Sequence, residues 1–221
     1  LVVINNAWQV RPDWDDLVFP YDFPPERQPT SLKSRQRLIG EAEFVPVQNQ
    51  YGGFVYAGAT MAFTTAYWVL GHYNPREIAF LGCDMSYPKS SKTHFYGTGT
   101  ADPLREDITL ISLEAKAARL YALALAQGCE ITNLSQETSR LIAPRRSLLE
   151  PRPEPFEIDK VQKAHALARE QELAYYVASG RYWEELERFD IEQIKRLDAL
   201  WSNVVIDCLL YTSPSPRDGD E

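Results

Sequence analysis

The sequence predicts an α/β domain built on a parallel sheet with flanking helices, followed by a helical appendage. Three observations carry that expectation. Short apolar runs, each stopping at a polar or glycine residue, alternate with longer apolar or amphipathic stretches. The links between them are short, which suits strand–helix–strand units. Beyond a proline-marked stretch the composition turns to Glu, Lys and Arg, with apolar residues at helical spacing.

Leu1-Val-Val-Ile4 reads as a short buried strand because β-branched residues fit a pleated surface, and Asn5-Asn6 ends it. Asp16 to Phe19 is a second strand, closed by Pro20. Pro24, Pro25 and Pro29 make the following stretch a loop. Ala42 to Val47 is a third, weaker strand. Ala57 to Leu70 is apolar on nearly every face and too long for a strand. It reads as a helix packed on a sheet, with Gly71 as its C-cap. Glu77 to Leu81 is an apolar strand running into Gly82-Cys83-Asp84.

After a loop rich in Gly, Ser and Thr, Asp107 to Gln127 is a helix, with Asp107 as N-cap and Gly128 just past its end. Glu130 to Asn133 is the last strand, and Gln136 to Ile142 a helical turn. This order is Rossmann-like. Pro144, Pro151, Pro153 and Pro155 mark a linker to two amphipathic helices, Ile158 to Ser179 and Tyr182 to Trp201. The second carries an apolar stripe of Trp183, Leu186, Phe189, Ile194, Leu197 and Trp201. Packing back on the core is its first expected fate, and a homo-oligomer interface its second. Residues 1–150 are thus expected to form the Rossmann-like domain and residues 151–205 the appendage. The chain opens inside an apolar run without a methionine, so it is expected to start within a longer gene product. Residues 208–221 shift abruptly to Ser, Pro and Asp and read as a non-native tail, like adapter read-through at the end of a metagenomic fragment.

A hydrophobic content of 44% in 221 residues is enough to fill a core. A formal charge of −8 argues against a general nucleic-acid binder, which carries a basic face. It leaves room for a small anion held at a helix N-terminus. Cys83, Cys129 and Cys208 show no C-x-x-C spacing, which disfavours a zinc site or disulfide framework and suits a reducing, cytoplasmic compartment. No apolar run approaches the ~20 residues of a membrane span.

In an open parallel sheet, ligands bind beyond the carboxyl ends of the strands. That rule gathers Asn5, Asp84 and Asn133, each polar where a strand stops. Asp84 is the sharpest, because Gly82 and Cys83 beside it let another group approach the backbone; capping its own turn is the plainer role. His94, in Thr93-His-Phe-Tyr-Gly97, has a flexible setting and an intrinsic pKa of ~6.5, which suit a general base. His72 and His165 have no comparable surroundings. Tyr87 and Tyr96 could donate hydroxyls to a phosphate, though tyrosines more often pack. Asp13-Trp14-Asp15 matches a D-x-D pair but sits beside Pro12 and reads as a turn. Gly97-Thr-Gly99 is too short for a phosphate fingerprint, and Arg145-Arg146 could face an anionic group, though a solvated linker pair is the plainer reading.

Taken in order, the strand ending in Asn, the glycine-containing apolar helix, Ile-x-x-Leu-Gly-x-Asp, His-x-x-Gly and Asn-Leu-Ser…Ser-x-Leu form a pattern. It resembles the bacterial sialyltransferases of glycosyltransferase family 42. It is also similar to the domain shared by motility accessory factor proteins and the archaeal 6-hydroxymethylpterin diphosphokinase. The resemblance covers roughly residues 1–144. It implies a metal-independent glycosyltransferase that needs no cofactor beyond a nucleotide-sugar donor, such as a CMP-sugar, and a glycan acceptor. Asn5 would contact the nucleotide. Gly58 would let the donor approach the backbone, and Asp84 would contact the donor. His94 would take the acceptor proton, with Asn133 and Ser135 near the base. Ala57 stands where that family has Ser, and Ser86 where it has a phosphate-contacting Tyr, with Tyr87 one place on. The alternatives are pyrophosphate transfer on the same fold, which requires carboxylate-held magnesium, and a non-catalytic nucleotide-binding module.

Overall fold

A computed structural model describes residues 1–86 and 106–206. They form a mixed α/β structure with two small parallel sheets. Strands β1 (Val2–Ile4), β2 (Asp16–Val18) and β3 (Arg37–Ile39) lie in sequence order. The register sets Leu17 between Val3 and Leu38. Strands β4 (Glu77–Phe80) and β5 (Glu130–Asn133) form the second sheet, with Phe80 opposite Asn133.

Helix α1 spans Glu41–Gln50, α2 Phe54–Ala57, α3 Met61–Tyr73 and α4 Leu113–Ala126. Helices α5 (Lys160–Leu173) and α6 (Ile191–Ser202) follow. One apolar cluster joins α3 and α4 to β4 and β5, through Phe63, Tyr67, Leu120 and Ile131. A second joins α1, α2, α5 and α6 through Phe44, Val55, Ala166, Ile194 and Trp201.

Several sequence expectations change here. Residues 42–47 are not a strand but part of α1, even with Pro46 inside it. Glu41 and Glu43 favour the helix N-terminus, and the Glu43 carboxylate accepts the Gly40 N–H at 3.0 Å. Phe44 and Gln48 then share a buried face at helical spacing. The true third strand, β3, was hidden in a polar stretch, because Arg37 earns its place by donating to Asp16 at 2.8 Å. The apolar segment 57–70 breaks at Gly58, whose φ of +85° cannot continue a helix. Gly71 is not a cap. It lies inside α3, where a side chain would run into Val47 of α1, and left-handed Asn74 closes the helix.

Ser112, not Asp107, caps α4, and residues 136–142 form no helix. Gly128 does follow the helix end with φ +81°. Residues 182–188 form two short 3-10 turns ahead of α6 rather than one long helix. The expected stripe therefore divides: Phe189, Ile194, Leu197 and Trp201 are buried, while Trp183 and Leu186 are exposed. Among the described residues no helix is long and apolar enough to cross a membrane.

Two buried ion pairs join α4 to the C-terminal helices. Lys116 Nζ donates to Asp198 of α6 at 2.7 Å and to the Val55 carbonyl at 3.2 Å. Arg119 donates to both oxygens of Glu170 on α5, at 2.7 and 2.8 Å. Its other donors reach the Tyr67 hydroxyl at 2.9 Å and the Tyr51 carbonyl at 2.7 Å. Trp201 Nε1 completes the set by donating to Glu170 at 2.7 Å. Burial opposes the charge on Arg119, but the Glu170 carboxylate and Tyr67 outweigh it and hold the guanidinium above its ordinary pKa.

Removing one partner of such a pair strands a buried charge and costs about 3–5 kcal/mol. Arg119→Met is therefore expected to lower Tm by roughly 6–20 °C. Arg119→Met with Glu170→Leu should recover most of that loss. A single variant as stable as the parent in thermal denaturation would show that the pair does not hold the helices.

Candidate functional site

The carboxyl ends of β4 and β5 meet the N-terminus of α3. Chain direction explains this: two parallel strands stop side by side, and Leu134 N–H donates to the Phe80 carbonyl at 2.8 Å across their ends. Beyond Phe80 the chain turns sharply. Gly82 has φ +69° and Met85 φ +53°, a conformation that costs a non-glycine residue energy and tends to mark functional turns. Met85 is held there because its side chain is buried in the core.

The polar groups at these ends contact one another. Asn133 donates its side-chain amide to the Asp84 carboxylate at 3.3 Å, and its own oxygen accepts the Ser135 N–H at 2.9 Å. The Ser135 hydroxyl accepts the Gly82 N–H at 3.0 Å. The Asp84 carbonyl accepts the Arg140 N–H at 2.8 Å. Thr60, the N-cap of α3, accepts the Phe63 N–H at 3.2 Å and lies 3.9 Å from the Met85 sulfur. Ala59 N–H donates to Thr109 at 3.2 Å, and Thr109 is fixed by Asp107 at 2.7 and 2.8 Å. The chain continues to Tyr182, whose hydroxyl donates to the other Asp107 oxygen at 2.6 Å. Sequence reading missed Thr60, Thr109 and Tyr182. Only the N-cap spacing of Thr60 ahead of an apolar run could have signalled the first.

Gly58, Gly82, Asp84, Asn133 and Ser135 thus stand on one connected rim. The two glycines differ. A side chain at Gly58 would meet Phe63 and Lys116, so internal packing and its φ require glycine there. A side chain at Gly82 would meet nothing within 4 Å among the described residues, which leave that face open. Asn5 ends β1 in the other sheet, in a left-handed conformation. Its side-chain oxygen is buried without a hydrogen-bond partner, and no hydrogen bond links it to the rim among the described residues. Tyr87, His94 and Tyr96 lie outside the described residues. Asp13 pairs with Arg11 and Trp14 is buried, but residues 13–15 form no turn, only a bend at Asp15 leading into β2.

Arg145 and Arg146 are not a solvated pair. The segment after Pro144 lies beside β5, and Arg146 pairs with Glu77 at 2.9 Å. Among the described residues no group of three His, Cys, Asp or Glu side chains is placed to hold a metal.

A concavity of about 380 Å³ lies away from the rim, lined by Tyr51, Gly52, Tyr56, Arg119, Glu170 and Tyr176. Its charged floor is the Arg119–Glu170 pair, already fully engaged with protein partners. Tyr56 donates to the Glu170 carbonyl at 2.7 Å, and burial pushes its hydroxyl up to about 12. The strand-end rim, with an open glycine and converging polar groups, is the better candidate. The chain matches no protein-family model, no curated protein and no solved structure.

Cys83 reports on this rim. Burial, with a smaller contribution from the Asp84 carboxylate, pushes its thiol up to about 12. Only the thiolate is nucleophilic, so at pH 8 the reactive form is a small minority at equilibrium. Alkylation of Cys83 by iodoacetamide, followed by peptide mass spectrometry, should be far slower than in the urea-unfolded chain. It should rise roughly tenfold per pH unit toward pH 11. Equal rates in the folded and unfolded chains at pH 8 would contradict this placement.

Proposed function

We propose that this chain is a metal-independent, glycosyltransferase-like protein that holds a nucleotide-sugar at the rim of β4 and β5 and transfers the sugar to a glycan hydroxyl. The observation that carries the reading is the Asp84–Asn133 contact beside the N-terminus of α3. A Rossmann-like fold gathers its ligand at such strand ends. The open side of Gly82 gives a donor room to approach the backbone. In this reading Asp84 and Asn133 fix the polar edge of the nucleotide, and the α3 N-terminus favours its negative charge.

Transfer needs little else from the protein. The acceptor oxygen attacks the anomeric carbon while the bond from that carbon to the donor phosphate breaks. The nucleotide leaves with the electron pair, and His94 takes the acceptor proton. A CMP-sugar with a sialic-acid-like group is the donor this reading favours. Pyrophosphate transfer on the same framework is the alternative.

Thermal-shift titrations with CMP, UDP, GDP and ATP, each with and without magnesium, test the proposal. CMP near a hundredfold excess over its Kd should stabilise by about 2.7 kcal/mol, roughly 5–11 °C in Tm. The shift should appear without magnesium and vanish in Asp84→Asn and Asn133→Ala. A shift produced by ATP only with magnesium would favour pyrophosphate transfer, and no nucleotide shift at all would remove the reading. An unchanged sugar-transfer rate in His94→Ala would remove the proposed base.

A further inference from the structure

The segment after β5 carries arginines at 140, 145, 146 and 152, and their neutralisation is uneven. Arg140 forms a bidentate pair with Glu114 at 2.6 and 2.8 Å. Arg146 pairs with Glu77 at 2.9 Å, and Arg152 reaches Glu77 at 3.1 Å and Glu130 at 3.6 Å. Arg145 has no carboxylate within ion-pair reach among the described residues. Its guanidinium is instead fixed by two backbone carbonyls, Ser135 at 2.7 Å and Glu137 at 2.6 Å.

Those two bonds use two of the five N–H donors of an arginine and orient the plane without cancelling its charge. In a chain with a net charge of −8, a half-buried cation left without a counter-ion at this place is unusual. Its place is the rim. Arg145 pairs in parallel register with Asn133, so the two side chains start from the same face of the sheet. Ser135, whose carbonyl anchors the guanidinium, is the residue whose hydroxyl accepts the Gly82 N–H. The backbone holds the arginine ready while leaving its remaining donors for a planar or tetrahedral anion.

We propose that Arg145 is the phosphate-binding residue of the rim, taking the phosphate oxygens of a nucleotide whose polar edge meets Asp84 and Asn133. This rests on the nucleotide reading above for the ligand's identity, but not for the anion site. The two carbonyls position Arg145, and the incoming phosphate supplies the missing negative charge. The Asp84 carboxylate accepts the Asn133 amide and forms no ion pair with Arg145. The same chemistry would accept free pyrophosphate, so the experiment separates the two sources.

Calorimetric titration of the complete protein with CMP, cytidine and inorganic pyrophosphate, in wild type, Arg145→Met and Arg145→Gln, provides the test. Arg145→Gln retains an N–H donor for one carbonyl and guards against a folding defect in the methionine variant. Wild type should bind CMP at least tenfold tighter than cytidine. Both variants should lose that advantage while binding cytidine as wild type does. Wild type alone should bind pyrophosphate. Arg145-dependent pyrophosphate binding without nucleotide binding would uphold the anion site and remove the nucleotide reading. Folded variants that bind CMP and pyrophosphate like wild type would overturn the role of Arg145 and leave the nucleotide reading standing. Absence of binding by all three ligands in wild type would overturn both.

Discussion

The bidentate Arg119–Glu170 pair is the constraint on which the arrangement depends. A buried guanidinium must satisfy its donors, and here it does so with groups from three separate stretches of chain. Glu170 belongs to α5, Tyr67 to α3, and the Tyr51 carbonyl follows α1. Trp201 of α6 meets the same carboxylate. Helix α4 therefore cannot turn about its axis without stranding a charge. One helical turn away, Lys116 applies the same constraint to Val55 and Asp198. The stem of Lys116 packs against Gly58, next to the N-terminus of α3. An interaction distant from the rim thus fixes a wall of the rim.

The rim itself is held by small exchanges rather than by one strong contact. Asn133 divides its amide between Asp84 and the backbone of Ser135, and Ser135 in turn receives Gly82. Each bond aligns the next, so the ends of β4 and β5 behave as a unit. The strained backbone at Met85 is paid for by burying its side chain against the core. Among the described residues, what remains open is the face of Gly82 and the uncompensated charge of Arg145. The C-terminal segment also reaches this end of the molecule, through the Tyr182–Asp107 bond.

The strands and helices whose own residues bury them were legible in the sequence. The apolar runs of β1, β2, β4 and β5 each stand where expected, and so do Asp84 and Asn133 at their ends. What escaped depends on partners distant in sequence. Strand β3 is polar and owes its place to Arg37 meeting Asp16, and α1 reads as a strand until its packing along α3 and the Phe44–Phe54 contact reveal a buried helical face. Lys116 and Arg119 look like surface charges on an apolar helix, since nothing local reveals Asp198 and Glu170 as their partners. Arg145 resembled a linker residue because its anchors are carbonyls, which leave no mark in a sequence.

Hydrogen–deuterium exchange of the complete protein, with and without saturating CMP, addresses the central claim most directly. A ligand seated where the strands end should slow exchange at residues 58–60, 82–86 and 133–135 together. It should leave residues 50–56 and 170–176, around the concavity, unchanged. Protection confined to that concavity, or slowed exchange in one rim segment without the others, would contradict a shared ligand rim.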